Sequence, residues 1–305
     1  MMKFVRYIIL FLLVGIFIYK SNLVQVGDER RVLGKDMTET VHFDVLNSEI
    51  ESVNASKADI RKGFSTNGTN FDLTVTNDVV DNEKWKLVWH DEFNAKELDQ
   101  TKWNKVFWES EKNEELQYYI PENVFVKDGF LQLKSDDKNY KHKPYTSGAV
   151  TTEDKFTFKY GKLVVRARLP VGKGMFPAIW TLPATSNGLP EIDVMENLGH
   201  KPEEYWAVMH WYDENGKKKR AYNTYKGPDF SKGLHTFSIE WSPKKVKWLV
   251  DEQVTFETEE FSPDVPMFLY LNTAVGGEWP GNPDQKTEFP QLYKIDYVRF
   301  YKQIK

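Results

Sequence analysis

Three carboxylates stand within six residues in Leu189-Pro190-Glu191-Ile192-Asp193-Val194-Met195-Glu196-Asn197, separated only by apolar side chains. Acids interleaved with Ile, Val and Met read as one strand with a buried apolar face, and charge on such a strand is costly unless it is used. On a regular strand Glu191 and Asp193 share a face, while Glu196, an odd number of positions from both, points to the other. One extra residue around Val194 and Met195, a β-bulge, brings all three to one side, and bulges are enriched beside active sites. Acids crowded on one face cannot all ionise freely, so their pKa values separate. That separation suits cleavage of the bond between two sugars. One carboxylate attacks the anomeric carbon; the other, still protonated, protonates the leaving oxygen and then activates water. A carboxyl separation of ~5 to 5.5 Å goes with retained configuration, and Asp193 is placed to share a hydrogen bond with the nucleophile. A solvated acidic edge strand and a calcium site are the readings without catalysis.

The elements around the acids must hold them in place. Upstream, Gly172-Lys173-Gly174-Met175-Phe176-Pro177-Ala178-Ile179-Trp180-Thr181-Leu182-Pro183 leads Phe176 and Trp180 toward the acids, and aromatic platforms beside paired carboxylates suit a sugar cleft. From Trp85 to Tyr301 the chain is a succession of short period-two runs, at 130–134, 161–168, 236–241, 245–250 and 297–301. Turn signals such as Asp128-Gly129 and Ser242-Pro243-Lys244 separate them. Long helical patterns and internal repeats are missing. The pattern predicts an antiparallel all-β sandwich over residues 84–305, large enough to bury its own core.

Residues 1–20 place Lys3 and Arg6 around the start of an apolar run at 7–19, shorter than the ~20 residues of an ordinary membrane span. They predict a secretory signal peptide or, because the small-x-small cleavage pattern is missing, an uncleaved signal anchor that tethers the chain through residues 4–19. Residues 21–83 shift to Asp, Glu, Lys, Asn, Ser and Thr and read as a largely irregular polar spacer, with room for a small β element between Phe64 and Val75. A net charge of −4 supplies no footprint for nucleic acid. With no cysteine, disulfides, thiolate metal sites and cysteine nucleophiles are excluded together, yet a domain this large needs no covalent staples outside the cell. Aromatic residues make up 15% of the chain, including ten Trp and fifteen Tyr, so part-exposed rings are expected. The expected location is secreted, periplasmic or cell-surface, and the expected state is a monomer acting on a polysaccharide.

At the acids the sequence resembles the laminarinase branch of glycoside hydrolase family 16, whose signature is Glu, apolar, Asp, apolar, apolar, Glu. The likeness runs from Trp85 to Tyr301, through Trp89-His90-Asp91-Glu92-Phe93, Asn113-Glu114-Glu115-Leu116-Gln117-Tyr118-Tyr119, Tyr145-Thr146-Ser147-Gly148, His235-Thr236-Phe237-Ser238-Ile239-Glu240-Trp241 and Asn272-Thr273-Ala274-Val275-Gly276-Gly277. The resemblance implies a concanavalin-like β-jelly-roll with an open concave cleft. It implies retaining endo cleavage of β-1,3 or mixed β-1,3/1,4 glucan, with no required cofactor. Glu191 matches the nucleophile, Glu196 the acid/base and Asp193 the assisting acid. Trp180 matches the tryptophan that supports the sugar beside the scissile bond, and His210 a histidine of the cleft strand. Asn123 and Glu115 lie in the region bordering donor subsites, and Trp279 is either a sugar-stacking ring or a packed loop anchor.

Some relatives hold a calcium ion through groups resembling Glu92, the carbonyl of Gly129 and Asp296, in a stabilising rather than chemical role. Ala149 and Phe176 stand where many laminarinases have Arg and Trp, which bears on substrate fit and leaves the carboxylates intact. Two alternatives accompany the glucanase reading. A hydrolase of an algal galactan needs cations placed near the acids, and the sequence shows no such cluster beside them. A non-catalytic β-glucan-binding protein has no use for the three retained acids.

Overall fold

The computed structural model describes residues 64–66, 69–71, 84–110, 112–185 and 188–304. The expected leader at 1–20, its membrane tether at 4–19 and most of the 21–83 spacer lie outside the described residues. Within the spacer, Phe64–Thr66 (β1) and Thr69–Phe71 (β2) pair antiparallel, inside the stretch where the sequence leaves room for a β element. Among the described residues no helix is long and apolar enough to cross a membrane.

From Trp85 onward the chain is strand and turn almost throughout. In order come β3 (Trp85–Asp91), β4 (Asn104–Lys105), β5 (Trp108–Glu109), β6 (Gln117–Tyr119), β7 (Val124–Lys127), β8 (Phe130–Ser135), β9 (Tyr145–Ser147) and β10 (Ala149–Thr151). The second half holds β11 (Gly161–Arg168), β12 (Met175–Pro183), β13 (Glu191–Glu196), β14 (Glu204–Tyr212) and β15 (Lys218–Lys226). It closes with β16 (His235–Ser242), β17 (Lys245–Val250), β18 (Gln253–Thr258), β19 (Met267–Val275) and β20 (Gln291–Gln303). Seven strands form one sheet in the order β15-β14-β13-β12-β19-β10-β4, and eight form the other, β18-β17-β16-β11-β20-β8-β7 with β3 also paired to β20. A three-stranded sheet, β5-β6-β9, completes the domain.

Alternation sets the layers. In β11, Leu163, Val165 and Ala167 join the core while Lys162 and Arg166 face away from it, as period two requires. Turn chemistry fixes the register: Asp128 and Gly129 both have positive φ, 55° and 75°, and close a two-residue hairpin between Lys127 and Phe130. Inner-face residues of both sheets, among them Ile179, Ile192, Met209, Leu271, Phe237 and Trp248, fill one core. Each such side chain, fully buried, contributes roughly 1.5–3 kcal/mol. Trp248 does more than fill space. From β17 in the eight-stranded sheet, its Nε1 donates across the core to the backbone oxygen of Asp193 at 2.9 Å, tying one sheet to the acid strand of the other.

Candidate active site

The acid strand β13 lies between β12 and β14, and both pairings slip at the same place. On β14, Asp193 opposes Val208 and Glu196 opposes Trp206, so Val194 and Met195 together face the single Ala207. On β12, Trp180 opposes Asp193 and Ile179 opposes Met195, again leaving Val194 over. Both bulge residues turn inward, Val194 to 1% and Met195 to 0% exposure. Two adjacent apolar side chains buried on the same side drive the irregularity, and the acids on either side of it are thereby left on the outer face. Glu191, Asp193 and Glu196 share that face, as the sequence spacing demands of a bulged strand.

Strand pairing extends this into rows across the seven-stranded sheet. One row runs Arg220, His210, Glu191. The next runs Tyr222, Val208, Asp193, Trp180, Tyr270, Thr151. A third runs Thr224, Trp206, Glu196, Ala178, Asn272, Ala149. The acids therefore sit mid-sheet with rings on both sides.

Asp193 is 3% exposed, and its Oδ2 has no hydrogen-bond partner among the described residues. His210 Nε2 stands 3.8 Å from it. Burial and the charges of Glu191 and Glu196 hold the Asp193 carboxyl well above the ordinary carboxylate range. Glu196 is pushed up to about 8 by burial and by the charge of Glu191. Burial raises Glu191 as well, but the ammonium groups of Lys218 and Lys112 pull it back. Burial, together with Lys218 and Arg220, lowers His210 to about 4, so its ring is neutral at pH 7. Ligand atoms of Glu191, Asp193 and His210 lie within 4.8 Å of one another. That set would suit a divalent cation by composition.

The rings are positioned as carefully as the acids. Trp180 Nε1 donates to Asn272 Oδ1 at 2.8 Å, and Asn272 Nδ2 donates to the Tyr119 hydroxyl at 2.9 Å, which locks the indole plane. The Trp180 ring lies 4.7 Å from that of Tyr270. Beyond Glu196, Trp279 is 44% exposed and stands edge-on to both Phe176, at 5.2 Å, and Trp206, at 5.0 Å. Trp279 is thus both a packed loop anchor and an open ring, and Phe176 keeps an aromatic neighbour for it.

The remaining expected residues fall in different places. Glu115 Oε2 accepts from Gln117 Nε2 at 2.7 Å, and the Glu115 charge reaches Tyr119 and Tyr270, which places it beside the Trp180 end of the cleft. Asn123 is 3% exposed and donates through Nδ2 to Thr146 Oγ1 at 3.0 Å. Its backbone carbonyl passes so close to Gly148 that a Cβ there would stand 2.5 Å from it. Asn123 is therefore a buried brace under Tyr145-Thr146-Ser147-Gly148 rather than a group on the open cleft. The calcium expectation also meets a different arrangement. Both Glu92 oxygens accept from Arg299, at 2.9 and 2.8 Å, and Asp296 Oδ2 accepts from Arg166 at 3.0 Å. Glu92 and Asp296 thus each face a guanidinium group.

Sequence reasoning missed Tyr270, Asn272 and Tyr119, although Asn272-Thr273-Ala274-Val275-Gly276-Gly277 and the Tyr118-Tyr119 pair stand among the recognised motifs. It also missed cations near the acids. Lys218 and Arg220 lie on β15, one strand beyond His210, where only the sheet order brings them to Glu191.

A β-sandwich that carries a bulged triad of acids between fixed aromatic rings is a carbohydrate-cleaving enzyme of the jelly-roll class. The model for glycosyl hydrolases family 16 matches residues 111–299, and the chain belongs to that family. A model for the beta-glucan synthesis-associated proteins SKN1/KRE6/Sbg1 also matches, over residues 5–188, and ends short of the acids. Beta-glucanase of Rhodothermus marinus is 35% identical over 254 residues, covering 72% of this chain and 85% of that protein. Glucan endo-1,3-beta-glucosidase A1 of Niallia circulans is 33% identical over 258 residues, 71% of this chain, but the match spans only 38% of that longer protein. The laminarinase catalytic domain from Thermotoga maritima superposes with a TM-score of 0.68 at 38% identity, over 73% of this chain and 100% of that one.

Proposed function

We propose that the chain is a retaining endo-hydrolase of β-1,3 or mixed β-1,3/1,4 glucan, working by double displacement. The observation that carries this is the unequal treatment of the two glutamates. Glu191 has Lys218 and Lys112 to favour its charge, whereas Glu196 meets burial and the charge of Glu191 with no cation to offset them. At neutral pH Glu191 holds the negative charge and Glu196 the proton. The Glu191 carboxylate attacks the anomeric carbon, the Glu196 proton passes to the departing glycosidic oxygen, and a glycosyl ester forms on Glu191. Glu196, now a carboxylate, takes a proton from water as that water attacks the same carbon, releasing the sugar with its configuration retained and regenerating both groups. Asp193, its carboxyl held well above the ordinary range, shares the face of Glu191 and is placed to give it a hydrogen bond as the reaction proceeds. Trp180 and Tyr270 supply a platform for the sugar next to the cut bond. No cofactor enters any step.

A polymer substrate that cannot enter a cell fits an exported enzyme. It acts as a monomer, released after removal of residues 1–20 or held at the surface through residues 4–19. Intact-mass measurement of the mature protein distinguishes the two. The activity itself is tested by incubation with laminarin, lichenan, curdlan and agarose, followed by product sizing. Internal cleavage of laminarin or lichenan is the expected outcome, and oligosaccharides from agarose alone would remove the glucan assignment.

The match to beta-glucan synthesis-associated proteins favours one second reading, in which a sugar hydroxyl replaces water in the second step and the glucan is remodelled. Products longer than the starting oligosaccharide at high substrate concentration mark that outcome; shorter products alone exclude it.

A further inference from the structure

Apart from the support that Lys218 gives the Glu191 charge, the edge strand β15 takes no part in the carboxylate chemistry or the Trp180 platform, and its outer face is basic. The run Lys217-Lys218-Lys219-Arg220 leads into and opens this strand. Pairing with β14 sets Lys218 opposite Tyr212 and Arg220 opposite His210, so both cations stand on the face that carries Glu191. Lys219 points the other way and is paired with Asp213 at 3.6 Å. Lys218 and Arg220 are exposed and have no ion-pair partner among the described residues. Exposed rings alternate with them: Tyr212 and Tyr222 are 58% and 54% exposed, and the Arg220 guanidinium lies 4.8 Å over the Tyr222 ring. Lys112, exposed beside the Glu115 loop, adds a third cation whose charge reaches Glu191.

In a chain of net charge −4 carboxylates are plentiful, yet among the described residues none forms an ion pair with Lys218 or Arg220. A neutral glucan offers them hydroxyl oxygens but no charge to balance theirs. Cations without partners at the mouth of a cleft raise the local concentration of an anionic ligand, and a guanidinium receives sulfate or carboxylate through parallel hydrogen bonds. An exposed tyrosine next to each cation gives the same sugar a face to rest on. Strand β15 lies two strands from β13, about 10 Å across the sheet. The recognised group is therefore carried beyond the sugars at the cut bond, where it does not obstruct the chemistry.

The geometry points to an anionic β-glycan as the preferred substrate, a polysaccharide whose sulfate esters or carboxylates are received by Lys218 and Arg220. This rests on the hydrolase reading above. The test compares laminarin, sulfated laminarin and carboxymethylated laminarin of matched length, with the wild-type enzyme and with the double variant Lys218→Ala/Arg220→Ala. The quantity read is the ratio of kcat/KM on each anionic form to that on the neutral one, because any effect of the cations on Glu191 itself cancels in a ratio. In the wild type the ratio for at least one anionic form is about tenfold. It falls to near one in the double variant, and also when ionic strength rises from about 0.05 M to about 0.5 M. The arm with the larger ratio tells sulfate from carboxylate. A wild-type ratio at or below one, or a ratio that survives in the double variant, overturns the inference. Calorimetric binding of the same three polymers to the Glu191→Gln protein separates the two readings. Anionic binding through Lys218 and Arg220 with no polymer ever cut means that the hydrolase reading has failed and the surface stands. Cleavage of neutral laminarin with no anionic preference keeps the hydrolase and removes the surface.

Discussion

Carboxylates occupy both sheets of this sandwich, and the two sheets treat them in opposite ways. On the eight-stranded sheet, burial would raise Glu92, but two hydrogen bonds and the charge of Arg299, with His90 beside it, hold it below the usual range. Asp251 is likewise held down against burial by His235 and the backbone N–H of Thr236. On the seven-stranded sheet Asp193 is more deeply buried than either and has no donor for Oδ2 among the described residues, while its carboxyl neighbours push it further up. Carboxyl groups thus become ordinary ion pairs just past β3 and in the turn between β17 and β18, and a store of unfavourable charge on β13. A sandwich built only for stability would use the first arrangement throughout; the second is kept where it poises protons for transfer.

The sharpest way to break this contrast is to remove one carboxylate from each side. Glu191→Gln lowers kcat by roughly 10^3-fold or more, with melting temperature and glucan affinity nearly unchanged. Glu92→Gln does the reverse, costing on the order of 3 kcal/mol of stability because the Arg299 guanidinium is left without its partner, while kcat/KM stays within a few-fold of wild type. Reducing-sugar assays and thermal melts of the two variants decide it, and loss of activity in a fully stable Glu92→Gln protein would collapse the distinction.

Glu196→Gln loses about 10^2 to 10^4 in rate on laminarin and much less on an aryl glucoside whose leaving group needs no proton. The same variant gains stability at high pH. A carboxyl raised in the folded state contributes stability that is full below its unfolded value of 4.5 and is lost as pH rises through about 8. The wild type therefore weakens across that window and the glutamine variant does not, so their melting temperatures agree below pH 4 and diverge above pH 8. Equal melting curves at both ends would show that Glu196 is not held protonated.

The pH profile sharpens the same point without mutation. Activity requires Glu196 protonated and Glu191 ionised, so kcat/KM falls on the alkaline side as pH passes about 8. On the acid side it falls as Glu191 is protonated, above the ordinary value of 4.5 because burial raises that group. Loss of the alkaline limb in Glu196→Gln checks the assignment. The smallest effect belongs to the platform. Trp180→Ala reduces kcat/KM about tenfold through lost ring contact, and Trp180→Phe by less.

Much of the fold was legible because alternation and turn chemistry are local. The runs at 161–168 and 245–250 coincide with β11 and β17, and the Asp128-Gly129 hairpin follows from two residues that tolerate positive φ. The bulge was legible for a different reason: three acids at that spacing can share a face only if Val194 and Met195 share the other. The burial of Asn123 was not legible because its position beside the cleft motifs says nothing of which way its amide turns, and the amide turns to Thr146. The pairing of Glu92 with Arg299 was not legible because the two are 207 residues apart and meet only through the β3 and β20 pairing.

The sequence by itself determined the strand periodicity, the bulged acid triad and the family, since each depends on residue types within a short window. Only the tertiary structure set cations unequally about the two glutamates. Lys218 and Lys112 reach Glu191, and nothing comparable reaches Glu196. Electrostatic interaction follows distance through the folded protein rather than along the chain, so the order of strands in the sheet, and not their order in sequence, brings Lys218 to Glu191.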